Sequence, residues 1–203
     1  KPRVLWHAPA DRYPDAETAP AVYDGKVYVG LGNNGNAVCC LDANDGRELW
    51  RVATPYPVFT APTVADGNVF VGMGNGNLIE TAEEARERIL DEMRAAGKTE
   101  ADIAEAAKRL GPAGEVWCLD AASGQVKWRF RLRRIVLGAI AAGPDRIYFG
   151  SRDRGFYCVS FDGQQIARWD APAPIVASPA LGREHVYLVT SAGTLHCLRA
   201  DNL

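Results

Sequence analysis

Leu119-Asp120-Ala121-Ala122-Ser123-Gly124-Gln125-Val126-Lys127-Trp128 is one copy of a phrase that the chain repeats. Its tryptophan returns as Trp6 in VLWHAPA, Trp50 in LDANDGRELW and Trp169 in SFDGQQIARW, at spacings of 44, 78 and 41 residues. Removing a helix-like stretch of about 34 residues reduces the 78 to about 44, so the chain is built from units of about 40 residues, a period typical of propellers, arrays and solenoids.

The rest of each unit aligns under the first. APAVYDGKVYVG (19–30) recurs as APTVADGNVFVG (61–72), AIAAGPDRIYFG (139–150) and SPALGREHVYLV (178–189). Each is a short apolar run, a turn and a run rich in Val, Tyr and Phe, the pattern of a hairpin, and Asp24-Gly25 and Asp66-Gly67 are strong hairpin-turn pairs. A third strand follows in AVCCLD (37–42), EVWCLD (115–120), FYCVS (156–160) and LHCLR (195–199). A polar turn then leads to a fourth strand carrying the tryptophan. Four short antiparallel strands per unit make one propeller blade, an all-β design, and no alternation of helices supports an α/β alternative.

The cysteines give an independent check on the register. Cys40, Cys118, Cys158 and Cys197 share one column of the third strand. Equivalent positions in successive blades lie beyond disulfide reach, so these are expected to be free, buried thiols filling one niche. In a strand Cys39 points to the face opposite Cys40 and occupies the column of Trp117, Tyr157 and His196. The chain shows no CxxC and no Cys/His ligand spacing of a zinc site.

The phrases APAVYDGKVYVG and LDAASGQVKW resemble the repeats of pyrroloquinoline-quinone (PQQ) type β-propellers, whose tryptophan-docking motif runs Ala-x-Asp-x-x-(Thr/Ser)-Gly-x-x-x-Trp. The 119–128 copy is good, the one ending at Trp50 fair, and Ser160 to Trp169 degraded. The likeness covers the chain except for residues about 79 to 113. It implies that Trp6, Trp50, Trp128 and Trp169 are structural, each wedging one sheet against the next because a blade cannot bury both its faces alone. It also implies an extracytoplasmic setting, periplasmic or secreted.

Composition sets limits. A chain of 203 residues holds one sizeable core, and 23 Lys plus Arg against 25 Asp plus Glu give a net charge of −2, which excludes a general polyanion or nucleic-acid binder but not a local patch. The longest uncharged apolar stretch, Ile135 to Gly143, is far too short for a membrane helix. The chain opens at Lys1 without Met or a signal-peptide pattern, as a mature form, a domain or a fragment would. Residues 177 to 203 supply three strands of a last blade, while Val4-Leu5-Trp6-His7 is a tryptophan strand without a blade. The N-terminal strand is therefore expected to complete the last of about four blades. Three closures stay open: four blades closing on themselves, two chains sharing one ring as a homo-oligomer, or a part of something longer.

Residues 80–112 break the strand pattern. Thr81 with Glu84 is a capping box, Ala85, Ile89, Met93 and Ala96 keep helical spacing, and Gly97 is a stop. A second start at Thr99 runs through Ile103, Ala106, Ala107 and Leu110 to Gly111-Pro112, giving an αα-hairpin inserted in the second blade. It is either a decoration on the rim or a lid or docking arm. It emerges on the propeller face that also holds Arg51 to Thr60, Arg129 to Gly138 and Asp170 to Ser178. There Arg131, Arg133, Arg134, Arg152 and Arg154 form the chain's one concentration of charge. Clustered guanidinium groups suit carboxylate or phosphate partners; the alternative is that they pair with acidic residues of the hairpin.

Two functions follow from the resemblance: a non-catalytic scaffold that presents this face to a protein or anionic partner, or a PQQ-dependent quinoprotein dehydrogenase, or a fragment of one, holding PQQ and calcium on the axis and oxidising an alcohol or sugar. The second needs a calcium cage of carboxylate and amide oxygens, a stacking tryptophan and an acid/base carboxylate. The inner strands carry Ala, Pro, Thr, Val and Gly, and His7, His185 and His196 fall in different columns. The scaffold reading is preferred, with no catalytic, cofactor or metal residues assigned.

Overall fold

Asp24-Gly25 and Asp66-Gly67 each place two successive residues at positive φ, 47° and 69° in the first and 48° and 68° in the second, as a tight hairpin turn matched to strand twist requires. These turns join β1 (Ala21–Tyr23) to β2 (Lys26–Leu31) and β5 (Thr63–Ala65) to β6 (Asn68–Gly74). In this computed structural model, which describes residues 2–16 and 18–200, β3 (Ala37–Asp42) and β4 (Glu48–Ala53) complete the first sheet in the order β1-β2-β3-β4. The second sheet adds β7 (Gly114–Asp120) and β8 (Val126–Leu132) to β5 and β6. The third comprises β9 (Ala141–Ala142), β10 (Arg146–Gly150), β11 (Gly155–Ser160) and β12 (Gln165–Asp170). The fourth holds β13 (Ala180–Leu181), β14 (His185–Val189) and β15 (Leu195–Arg199), three strands among the described residues. Inner strands β1, β5, β9 and β13 lie side by side in succession, so four blades fan around one axis.

Side-chain alternation gives every blade two apolar faces. Tyr28, Val38 and Cys40 point forward and bury against Val69, Val71, Trp117 and Leu119 of the second blade. Phe70, Val116 and Cys118 do the same against Ile147, Tyr157 and Val159 of the third, and Tyr148, Phe156 and Cys158 against Val186 and Leu188 of the fourth. A β-bulge recurs after Cys40, Cys118 and Cys158. It sets where the tryptophans fall: Cys40 faces Trp50 and Cys118 faces Trp128.

The third blade departs from that register. Cys158 faces Ala167, and Trp169 lies two residues further along, opposite Phe156, so Trp169 does not share the column of Trp50 and Trp128. Its ring lies 5.0 Å from that of His196. The extra residues between Gly163 and Trp169 cause the shift. Cys197 also departs from expectation: all five cysteines are free, but only Cys39, Cys40, Cys118 and Cys158 are buried, because no described residues cover the forward face of the fourth blade.

The N-terminal segment behaves differently from the strand expected of it. Residues 2–9 form no strand, and Val4 and Leu5 are 76% and 80% exposed, so Val4–Trp6 completes no blade within this chain. Trp6 instead seats on the first blade: a Cβ on Gly46 would lie 2.5 Å from its ring, and its Nε1 donates to Ala43 O at 2.9 Å. Trp50 sits likewise on Gly124 and donates to Ala121 O at 3.2 Å, and Trp128 sits on Gly163 and donates to Phe161 O at 2.8 Å. Trp6 thus occupies the place of a tryptophan from a blade preceding the first. Tyr13 then packs on Leu31, Ala37, Cys39 and Leu41, covering part of the first blade's back.

Candidate partner-binding face

The helical hairpin grows from the end of β6 and returns to β7. Thr81 caps α1 (Ala82–Ala95), with its side chain accepting from Glu84 N and Glu84 reaching back to Thr81 N, so the capping box satisfies end donors that would otherwise be unpaired. Thr99 caps α2 (Glu100–Arg109) through Asp102 N. Only Ala82, Leu90 and Ile103 are buried within the helices; Ala96, expected on the apolar stripe, is exposed. With so little apolar surface the hairpin depends on polar ties. Asn75 Nδ2 donates to Arg109 O and Gly111 O at 3.1 and 2.6 Å, and Arg86 Nε donates to Ala107 O at 3.2 Å.

Two of the arginines belong to those ties. Arg134, on the connection between the second and third blades, makes a two-pronged pair with Glu83 of α1, its Nη1 donating at 2.8 Å. That pairing holds the Glu83 carboxyl below the usual carboxylate range. Arg152 Nη2 donates to Leu78 O at 3.1 Å. Arg134, Arg152 and Arg154 line one cavity of about 310 Å³ with Thr81, Asp153 and Pro174. Arg131 stands apart, largely exposed and 3.8 Å from Glu115. Arg133 and Arg154 are exposed and form no ion pair among the described residues. The structure therefore brings three of the five arginines together and spends much of their charge on the hairpin.

The same face carries a feature that charge counting missed. Leu78 and Ile79, at the elbow between β6 and α1, are 70% and 94% exposed. They border a cavity of about 420 Å³ shared with Phe59 and Leu137 from two blade connections, and with Asn33 and Asn77. Asn77 holds the elbow rigid, its Oδ1 accepting from Ile79 N and Glu80 N at 2.8 Å each. The signal in the sequence was an apolar pair inside the polar run GNGNLIE, where a loop has no core of its own. A second cleft of about 450 Å³ separates the hairpin from Tyr56 and its flanking prolines. It is lined by Asn33, Asn36, Asn75 and Asn77, and Asn36 Oδ1 is buried without a partner.

Reactive chemistry is not concentrated here. Among the described residues no group of three His, Cys, Asp or Glu side chains is placed to hold a metal ion, and no helix is long and apolar enough to cross a membrane. Burial pushes the Cys39 and Cys118 thiols up to about 12 and Cys40 to about 11, which removes their thiolates at neutral pH. Trp117, the one tryptophan outside the repeated phrase, is buried in the interface of the first two blades with the Arg129 guanidinium 4.3 Å from its ring.

Four antiparallel blades with tryptophans seated on turn glycines define a propeller of PQQ-like repeats. The family model described as outer membrane protein assembly factor BamB matches residues 2–91 and 112–202, and the chain belongs to that family. The gap between the two matched stretches, residues 92–111, falls in the hairpin. Comparison with curated proteins finds no match. Among solved structures, BamB from Moraxella catarrhalis superposes with a TM-score of 0.69 at 14% identity, over 98% of this chain and 50% of that one. The computationally designed Ika4 protein superposes at 0.66 and 14% identity, over 98% and 99%. The quinohemoprotein alcohol dehydrogenase ADHIIG from Pseudomonas putida HK5 superposes at 0.54 and 16% identity, over 89% and 34%. At these identities the likeness is one of fold, and the chain spans half the length of the BamB it matches.

Proposed function

We propose that this chain is a non-catalytic protein-binding propeller that works outside the cytoplasm, presenting the hairpin, the Leu78–Ile79 elbow and the neighbouring arginines to a protein partner. The observation that carries this reading is the elbow. Two large aliphatic side chains stand almost fully in water, on a loop made rigid by Asn77 and beside a cavity walled by Phe59 and Leu137. Exposed apolar groups of this kind mark interaction surfaces, and a polar, basic rim around an apolar centre is how binding patches are built. Arg154, clustered with Arg134 and Arg152, and the exposed Arg131 and Arg133 further along the same face would favour an acidic partner; Arg134 and Arg152 position the hairpin.

The test places a photo-crosslinking amino acid at position 79 and, as a control, at exposed Val22 on the innermost strand of the first blade. A discrete adduct from position 79, absent from position 22 and lost on Leu78→Asp at an unchanged melting temperature, supports the reading. No adduct, or equal adducts from both sites, overturns it. The dehydrogenase reading, favoured by the fold likeness to ADHIIG, is separated by titrating the chain with PQQ and calcium. The scaffold reading expects no saturable binding of either.

A further inference from the structure

Gly32-Asn33-Asn34-Gly35-Asn36 and Gly74-Asn75-Gly76-Asn77 stand at the same place in the repeat, where the second strand of each of the first two blades ends. The third and fourth units carry Asp153 and Ala192 where the first two carry Asn33 and Asn75. The asparagines thus gather at one junction, in the cleft of about 450 Å³ between the helical hairpin and the connection that holds Tyr56. We propose that this cleft binds a short neutral oligosaccharide, with one pyranose ring between Tyr56 and α1. The site is independent of the elbow and its partner. It is also separate from the dehydrogenase reading, which puts its substrate on the propeller axis, whereas this floor comes from loops that follow the second strands.

Two of the floor amides have one end fixed by main chain and the other end left over. Asn75 Nδ2 donates both its N–H groups, to Arg109 O and Gly111 O, which leaves Oδ1 to accept. Asn77 Oδ1 accepts from Ile79 N and Glu80 N, which leaves Nδ2 to donate. Asn36 Oδ1 is buried with no partner at all. A buried acceptor without a donor is costly, and the backbone does not demand one at this position. Asn36 lies at φ 40°, a conformation glycine adopts freely, and its structural bonds belong to the main chain: its N donates to Gly32 O at 3.0 Å and its O accepts from Thr54 N at 2.8 Å. The side-chain amide therefore answers to a donor from outside the chain.

Two acceptors and a donor, all in place beforehand, select the ligand's chemistry. A carboxylate or phosphate only accepts, and it would face the Asn36 and Asn75 oxygens without a proton to offer. Charged groups that line the cleft are already paired: Glu80 with Arg88 at 2.8 Å and Arg109 with Glu105 at 3.2 Å. A hydroxyl both donates and accepts, so neighbouring hydroxyls of one sugar match oxygen and nitrogen ends of amides alike. The walls agree with this. Half-buried Tyr56 sits on a connection held by Thr54 Oγ1, which donates to Tyr56 O at 2.8 Å, and the small side chains of Ala82 and Ala85 line the cleft from the hairpin. A pyranose packs its C–H face on an aromatic ring and turns its hydroxyl edge to the amides, whereas an extended peptide needs places for side chains on both its faces.

Arg86 adds the remaining donors. It lines the cleft half-buried, its Nε fixed on Ala107 O at 3.2 Å, so its Nη groups remain for a hydroxyl or a ring oxygen, which can only accept. Size is compatible as well, because small-molecule sites span about 300–1,000 Å³. With the amides of Asn75 and Asn77 oriented before the ligand arrives, little ordering is left to oppose binding.

The test presents the full chain with a panel of neutral di- and trisaccharides of glucose, galactose, mannose and N-acetylglucosamine, and with a capped alanine peptide as control, read by saturation-transfer NMR and calorimetry. At least one saccharide is expected to bind with Kd of about 1 mM or tighter, and the peptide is not. Asn36→Gly should weaken that saccharide about tenfold, on the scale of one hydrogen bond, with an unchanged far-ultraviolet spectrum. Asn34→Gly, in the same loop but outside the cleft, should leave affinity as it was. Ala85→Phe fills the slot and should abolish binding; if it fails to fold, Tyr56→Leu keeps an apolar body without the aromatic face and should weaken binding severalfold. No saccharide bound at about 10 mM overturns the proposal, as does a peptide bound in preference. Affinity indifferent to Asn36, or lost equally in Asn34→Gly and Asn36→Gly, also overturns it, because the buried amide would then have no part in binding.

Discussion

Gly124 and Gly67 share a backbone conformation but not a neighbourhood, and together they isolate the energy of a tryptophan seat. Their φ values are +75° and +68°, so an alanine at either carries the left-handed penalty of about 1–2 kcal/mol. At Gly67 nothing lies within 4 Å of the added Cβ. At Gly124 the Cβ would stand 2.8 Å from Cδ2 and Cε3 of Trp50, inside contact distance, so the ring must leave its place and Nε1 must release Ala121 O. Complete loss of a packed tryptophan costs about 3–5 kcal/mol, which bounds the additional term from above. A partial displacement of about 2 kcal/mol, at about 2–4 °C per kcal/mol for a domain of this size, puts Gly124→Ala some 4–8 °C below Gly67→Ala in melting temperature. Calorimetry on the two variants, with Gly25→Ala as a second control in open space, measures the difference. Equal melting temperatures would refute the claim that the ring on Gly124 holds the first two blades together.

Other expectations follow from the same geometry. Trp128→Ala should lower stability more than Trp169→Ala, because Trp169 sits off the column and forms no ring N–H bond among the described residues, so a smaller shift for Trp128 would contradict the register. Native chain at pH 8 should leave Cys39, Cys40, Cys118 and Cys158 unreactive, while the denatured chain titrates five thiols; any cystine in the mass spectrum would contradict free, buried sulfurs. Glu83→Gln should loosen the hairpin, seen as faster proteolysis near Gly97 with little change in global melting, because an exposed pair contributes little to overall stability. The Glu83 carboxyl is lowered by Arg134, so its contribution is complete at neutral pH and is lost as pH falls through that lowered value. Wild type should thus become as protease-sensitive as Glu83→Gln in acid, and a gap between them that persists there would argue against the pair.

Repetition made the blades legible before any coordinates. One tyrosine or cysteine in a strand says little, but Cys40, Cys118 and Cys158 in one column fixed the third strand in each unit, and the Asp-Gly pairs fixed the hairpins. The failures share a cause, which is that a column describes a residue and not its neighbour. Cys197 has the same strand position as Cys40, yet it is exposed because burial in a propeller depends on the next blade. Trp169 looked equivalent because its phrase resembles the others, although two more residues separate it from Gly163 than separate Trp128 from Gly124, and the ladder shows what they do. For Arg134 and Arg152 the sequence left open whether they serve a partner or pair with the hairpin, because the hairpin residues that meet them are contiguous in neither sequence nor strand order. Leu78 and Ile79 were overlooked for the converse reason: two aliphatic residues in a loop read as ordinary until the structure leaves them uncovered.

The hairpin also shows how such a fold takes an insertion without disturbing its ladder. Gly74 still faces Gly114 at the end of the β6–β7 pairing, and Asn75 N donates to Ala113 O at 3.0 Å, closing the neck of the insertion with the next backbone bond in line. The columns that join blades lie in the strands, and the insertion enters beyond the last of them. Its helices can therefore change in length, charge or apolar content while Val71, Met73, Val116 and Trp117 keep their places in the two interfaces the second blade must maintain. Inter-blade positions answer to packing density, where one methylene is felt, and loop positions answer to partners. Val71 and Met73 belong to the first kind, the exposed elbow at Leu78 and Ile79 to the second, and substitutions at the two should separate into those that change stability and those that leave it unchanged.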